Sequence, residues 1–290
     1  ALCRRIVEVL FERPYAAPGA LTLEWIDRRI EKGDTESLIL AAHAVGATPG
    51  SAARSRLQTL LADPDVEVKR AALLAAARRP TATLLDSILP LLFVPEVGGE
   101  ARAAVAAIGD PAVPSLIRFL SGEHSARARA IAVRALAELG SPRAVNALLG
   151  LTRSSDPNER TLGLRSLSRV RVNTGRPVLP RALVHRLFLR ELRSYRSSIE
   201  PAVELENAVD PEIRLLAESW VEYGEGALER AMRALACWYD PQPVSGAFER
   251  LKSRDYEQVA PALEFLVHVL PRPVFRPLRE IFESRMVRER

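Results

Sequence analysis

Ser125 to Leu151, SARARAIAVRALAELGSPRAVNALLGL, decides the fold. It reads as a helix, a tight turn at Gly140-Ser141-Pro142, and a second helix. Each helix has one apolar face, and the pair alone cannot bury both. Stacked neighbours can, by making a continuous core. Related pairs recur on both sides of this stretch. The expected class is therefore all-α: stacked antiparallel helix pairs forming one α-solenoid over residues 1–290.

A solenoid grows by adding units, so 290 residues need not mean two ordinary domains. Hydrophobic residues make up 48%, enough for such a core, while aromatics are only 6%. Ala, Leu and Arg dominate, Ala and Leu being strong helix formers. The formal charge of +5 is mild, but its distribution is uneven. Residues 151–200 hold eleven Arg against four acids, and residues 201–250 hold four Lys plus Arg against ten acids. Cys3 and Cys237 show no CxxC pattern, which argues against a disulfide framework or zinc site and fits a reducing compartment. No run of about 18 apolar residues suggests a membrane span. The chain opens as ALCRRIVEVLF, without Met and inside a helical pattern. It reads as a segment of a longer protein.

Helices are expected over residues 1–12, 21–32, 36–45, 51–62 and 66–79. Others are expected over 83–93, 100–108, 112–120, 125–139 and 158–170. Asp-Pro steps at 63–64, 156–157 and 210–211 mark helix starts, where the missing Pro N–H costs nothing. The inner helices repeat a pattern: a turn or capping residue, then a cation four positions on. The pairs are Asp65 with Lys69, Gly98 with Arg102, Ser125 with Arg129, and Asp156 with Arg160. The cations are spaced 33, 27 and 31 residues apart. DPDVEVKRAALLAAA and DPNERTLGLRSL are the most typical lines.

Over residues 34–170 the pattern resembles HEAT repeats, including the bacterial short type. The resemblance implies a ladder between adjacent units, with Asp65, Lys69, Arg102, Arg129, Asp156 and Arg160 in its places. Gly98 and Ser125 depart from the acidic position. The motif specifies architecture, not activity. Residues 1–33 are expected as N-terminal helices and 240–290 as a C-terminal repeat and cap.

Residues 171–239 break the period and read as an enlarged helical hairpin insertion. A helix from Val178 to Arg196 has the apolar stripe Val184, Leu187, Phe188, Leu192 and Tyr195. Arg186, Arg190 and Arg193 stand on another face and make a candidate anion or partner surface. The Ser197-Ser198 step and Pro201 are expected to kink or split this helix, and Gly224 and Gly226 to interrupt the next. From Leu228 to Glu283 the chain is similar to HEAT-like regions fused behind bacterial membrane transporters of the ATP/ADP-translocase type or major-facilitator-like proteins. Leu228, Glu229, Arg230, Tyr239, Asp240, Ala262, Leu263, Glu264, Leu266 and Leu270-Pro271 carry it. That resemblance implies a cytosolic appendage of a membrane protein.

No residue set announces a reaction. His43, His124, His185 and His268 lack partners at ligand spacing. His43 and His268, on apolar helices, are expected to be buried or interfacial. Glu204 and Glu206 have no visible cause for a raised pKa. There is no GxSxG elbow, Walker loop or Rossmann fingerprint. Trp25, Trp220 and Trp238 read as core or interface fillers. No cofactor or metal is expected. The leading function is a cytoplasmic, non-catalytic scaffold that binds a protein or a domain of its own longer chain. The alternative is a nucleic-acid or anion-binding solenoid using Arg153 to Arg196. An enzyme, such as a HEAT-like DNA glycosylase or lyase, comes third.

Overall fold

The computed structural model describes residues 23–48, 50–205, 209–253 and 256–288, without the side chains of Tyr256 and residues 284–288. The helix expected over residues 1–12, with Cys3, lies outside them, as does Glu206. Every regular element among the described residues is helical, and the helices pack in pairs. The chain divides into two compact units between Ala144 and Val145.

The first unit contains α1 (Leu23–Lys32), α2 (Thr35–Ala47), α3 (Ser51–Leu61), α4 (Val66–Arg78), α5 (Leu85–Ile88), α6 (Gly98–Ile108), α7 (Val113–Leu120) and α8 (Ala126–Leu139). Helices α2, α4, α6 and α8 pack in succession. Their buried faces are built from small side chains: Ala41, Ala42 and Ala44 on α2, Ala71, Ala72 and Ala75 on α4, Ala101 and Ala104 on α6, Ala132 and Ala135 on α8. Helix α3 covers α4, and α7 covers α8. Gly46, just past the helix expected over 36–45, lies within α2 and is a contact. A Cβ there would lie 2.9 Å from the Ala75 Cβ, so the absent side chain lets α2 and α4 touch. Arg79 then closes the α2 C-terminus, donating to the Gly46 and Ala47 carbonyls at 3.0 and 2.8 Å.

Residues 83–93, expected as one helix, form 3₁₀ turns at Ala82–Leu84 and Leu89–Phe93 around the single turn α5. Pro90 has no N–H for an α-helical bond, and this path still buries Leu84, Leu85, Ile88 and Leu92.

Helix α9 (Pro142–Leu151) crosses the boundary between the units. The second unit continues with α10 (Pro157–Thr174), α11 (Arg181–Leu205), α12 (Pro211–Leu235), α13 (Pro241–Leu251), α14 (Tyr256–Val269) and α15 (Arg272–Arg288). The expected stripe of Val184, Leu187, Phe188, Leu192 and Tyr195 is buried. Helices α11 and α12 pack on each other along their length, and α11 also meets α15, where Tyr195 stacks on Phe282 at 5.9 Å. Neither α11 nor α12 is split. The Ser198 hydroxyl satisfies itself within α11, donating to the Ser194 and Tyr195 carbonyls at 3.0 and 2.9 Å. Gly224 sits against it: a Cβ on Gly224 would be 2.8 Å from the Ser198 Oγ. These small residues are a crossing point, not a break.

The start signals are realised as side-chain caps. Asp34, Asp65, Asp156, Asp210 and Asp240 each accept from a backbone N–H at 2.8 to 3.1 Å. At Asp34 the Ser37 backbone N–H, the Ser37 hydroxyl and Lys32 hold the carboxyl down to about 2.

Candidate functional site

The residues expected in a repeat ladder are all placed at the N-terminal ends of α4, α6, α8 and α10. Asp65 and Asp156 cap their own helices. Asp65 also accepts from the Thr35 hydroxyl at 2.8 Å, tying the start of α4 to the start of α2. That bond and the Glu67 N–H lower its pKa. The cations four residues on reach carbonyls that precede their own helices. Lys69 donates to Pro64 at 3.5 Å, Arg129 to Leu120 at 2.6 Å, and Arg160 to Ser155 at 2.8 Å. Bonds between successive inner helices come from Arg70, which donates to Glu100 at 3.0 Å, and from Arg102, which faces Glu138 at 3.4 Å.

A charged cluster in the second unit gathers Arg160, Arg190 and Arg230, each named above for another role, around Glu191, which the sequence reading does not single out. Glu191 on α11 is wholly buried, at 0% exposure, among three arginines. Arg160 of α10 donates to it at 2.9 Å, its neighbour Arg190 at 2.6 Å, and Arg230 of α12 at 2.7 Å. Burial pushes the Glu191 pKa up. The bonds from Arg230, Arg190 and Arg160 outweigh it, leaving the carboxyl below its ordinary value. Arg230 is itself buried, with its ring-facing side over Tyr223 at 5.9 Å. Glu191 thus pins three helices through one carboxylate. The available signal was its spacing: it lies four residues from both Leu187 and Tyr195, inside the apolar stripe. Glu229 repeats the device nearer the surface, accepting from Arg165 at 2.9 Å and Arg233 at 2.7 Å. Burial raises its pKa and the arginines lower it, with a net lowering.

The structure separates the proposed surface arginines. Arg190 turns to Glu191, whereas Arg186 and Arg193 are exposed, and Arg193 donates to the Leu189 carbonyl at 3.4 Å. Elsewhere in the block, Arg196 meets Glu200 at 2.7 Å and Arg181 donates to the Tyr239 hydroxyl at 3.2 Å. His185 shares that hydroxyl at 2.8 Å, and burial together with Arg181 lowers its pKa. His43 is buried, but His268 is exposed. It falls on the outward stripe of α14 with Glu257, Pro261 and Glu264. Trp25, Trp220 and Trp238 are half-buried. Cys237 is a free buried thiol whose pKa burial pushes up to about 12. No group of three or more His, Cys, Asp or Glu among the described residues could hold a metal ion.

Helix α12 also carries a partly exposed apolar face. Ile213, Leu216, Trp220 and Tyr223 fall at helical spacing, and Ile213, Leu216 and Tyr223 are exposed at 38, 45 and 43%. Val209, just before the helix, is 96% exposed.

Helix pairs in this repeat-like packing define a HEAT-like α-solenoid. The family model for HEAT repeats matches residues 94–168, from just before α6 into α10. Among solved structures, a crystal structure of an engineered protein is similar at 21% identity, covering 71% of this chain and 97% of that chain, with a TM-score of 0.31. No curated protein matches. Among the described residues no single helix is long and apolar enough to cross a membrane. The pair Gly98–Ile108 and Asp110–Leu120 passes together on composition but is bent by 111°.

Proposed function

We propose that the chain is a non-catalytic scaffold that binds a protein, or a further domain of its own longer chain, through the second unit. The observation that carries this reading is the partly exposed stripe of Ile213, Leu216 and Tyr223 on α12, with the half-buried Trp220 between them. A folded chain ordinarily leaves large apolar groups scattered singly, and a contiguous row of them marks an interaction surface. Trp and Tyr are also the side chains that dominate binding energy at such surfaces. The resemblance to HEAT repeats points the same way. Two of the buried or half-buried carboxylates of the second unit, Glu191 and Glu229, are engaged in holding helices together through arginine.

The narrower form of this proposal makes the partner a bacterial membrane transporter, with this chain on its cytosolic side. Its support is the similarity carried by residues 228–271. A second reading, nucleic-acid or anion binding, is favoured by the exposed Arg186 and Arg193, which have no carboxylate partner among the described residues.

The double variant Leu216→Glu/Tyr223→Glu separates these readings. Leu216 and Tyr223 are each nearly half exposed and Tyr223 also lies against Arg230, so the melting midpoint should fall by only a few degrees and circular dichroism should still show the folded helices. Stoichiometric retention of a partner protein on immobilised chain should be lost. Unchanged retention, or retention of nucleic acid that disappears in Arg186→Glu/Arg193→Glu, would overturn the proposal.

A further inference from the structure

The geometry points to the groove between α11 and α12 as a binding site for a basic amphipathic helix of a partner protein. This rests on the scaffold reading and supplies the partner's chemistry. The groove encloses about 430 Å³ beside the end of α13, within the size range of ligand-binding clefts. Ile199 and Ala202 of α11, with Val221 and Leu228 of α12, line its apolar part. Glu218, Glu222 and Glu225 of α12 line its rim. Spacings of four and three residues put these carboxylates in one row along the helix.

On α11 and α12 the carboxylates of Glu191, Glu200 and Glu229 each meet arginine, whereas those along the groove do not. Glu218, Glu222 and Glu225 are exposed and make no ion pair among the described residues. Their own helix cannot supply one to Glu222 or Glu225. The positions three and four residues away from Glu222 are Ser219, Glu218, Glu225 and Gly226. Those from Glu225 are Glu222, Val221, Leu228 and Glu229. Like charges at this spacing repel and slightly destabilise the helix. Arg214 and Lys252 also line the groove, but Lys252 already faces Glu249 at 3.9 Å and lies over the Phe248 ring. Arg214, four residues before Glu218, can serve that end of the row, and the positive charge for Glu222 and Glu225 is best supplied from outside. A helix with Lys or Arg at i, i+4 and i+7 would match the row, and a neighbouring Leu or Phe would enter the groove.

The test measures fluorescence anisotropy of a short fluorescein-labelled Leu/Lys helix with the full chain. The control peptide has the same composition with its lysines distributed all round. Glu218→Gln/Glu222→Gln/Glu225→Gln removes the charge without changing shape, and Val221→Trp fills the groove; circular dichroism confirms folding of both. The amphipathic peptide should bind, and the control should not. The triple Gln variant should weaken binding about tenfold or more and abolish its salt dependence, while Val221→Trp should remove binding even with all three glutamates present. Equal binding of both peptides, or binding indifferent to both variants, would overturn the assignment. If the triple variant keeps a partner protein that wild type retains, the groove fails and the scaffold reading stands. If wild type retains no protein and binds no peptide, both fail.

Discussion

Glu191→Gln should destabilise the second unit by about 3–5 kcal/mol, because it leaves buried arginines without their counter-charge. For a unit of this size that corresponds to a fall in melting midpoint on the order of 10 °C. Arg230 is the critical partner. It is 3% exposed and cannot turn to water, whereas Arg190 is half-buried and Arg160 keeps its loop carbonyls. The double variant Glu191→Leu/Arg230→Met should therefore be more stable than Glu191→Gln, since it removes the charge and its orphaned partner together. Thermal unfolding followed by circular dichroism reads both. Equal midpoints for wild type and Glu191→Gln would mean the cluster is not a structural pin.

The same carboxylate sets a pH dependence. Its folded pKa lies below its ordinary value of 4.5. The stability it contributes is fully present above that value and is lost as pH falls through the folded pKa. Glu229 shifts in the same direction. Wild type should thus lose stability steeply on acidification below about pH 4.5, and Glu191→Gln should show a shallower acid limb.

Gly46→Val should unfold the first unit more readily, by about 3 kcal/mol at the upper end of the usual overpacking cost. The added Cβ would meet the Ala75 Cβ at 2.9 Å and the Ala75 Cα at 3.0 Å. Neither atom can rotate away, so α2 and α4 must separate, and the bonds from Arg79 to the α2 carbonyls must stretch with them. Ala75→Gly in the Gly46→Val background should recover part of the loss. Urea midpoints for the two single variants and the double variant would measure this coupling. Additive losses would show that the two helices do not meet at this point.

The elements legible in the sequence are those with local causes. Asp-Pro steps announced helix starts because cap and proline act within one turn. The stripe from Val184 to Tyr195 announced a buried face because its spacing matches the helix period. What was not legible depends on the neighbouring helix. Gly46 and Gly224 look like breaks in sequence, but each marks where another helix comes too close for a side chain. Glu191 belongs to a charged helix by composition, and only the approach of α10 and α12 makes it a buried centre. The α12 row of Ile213, Leu216, Trp220 and Tyr223 has the period of a core face, and periodicity cannot say whether anything covers it. His268 sits on an apolar helix but on its outward side.

We propose that α12 carries a protein contact. It is tested most directly by placing the photo-reactive residue p-benzoylphenylalanine at Leu216, with Val172 of α10, 62% exposed, as the control position. Irradiation in an extract of the source cells, followed by mass spectrometry, should give one discrete protein adduct from position 216. Position 172 should not give it, and Tyr223→Glu should abolish it. Adducts of the same kind and amount from both positions, or none from position 216, would contradict the account.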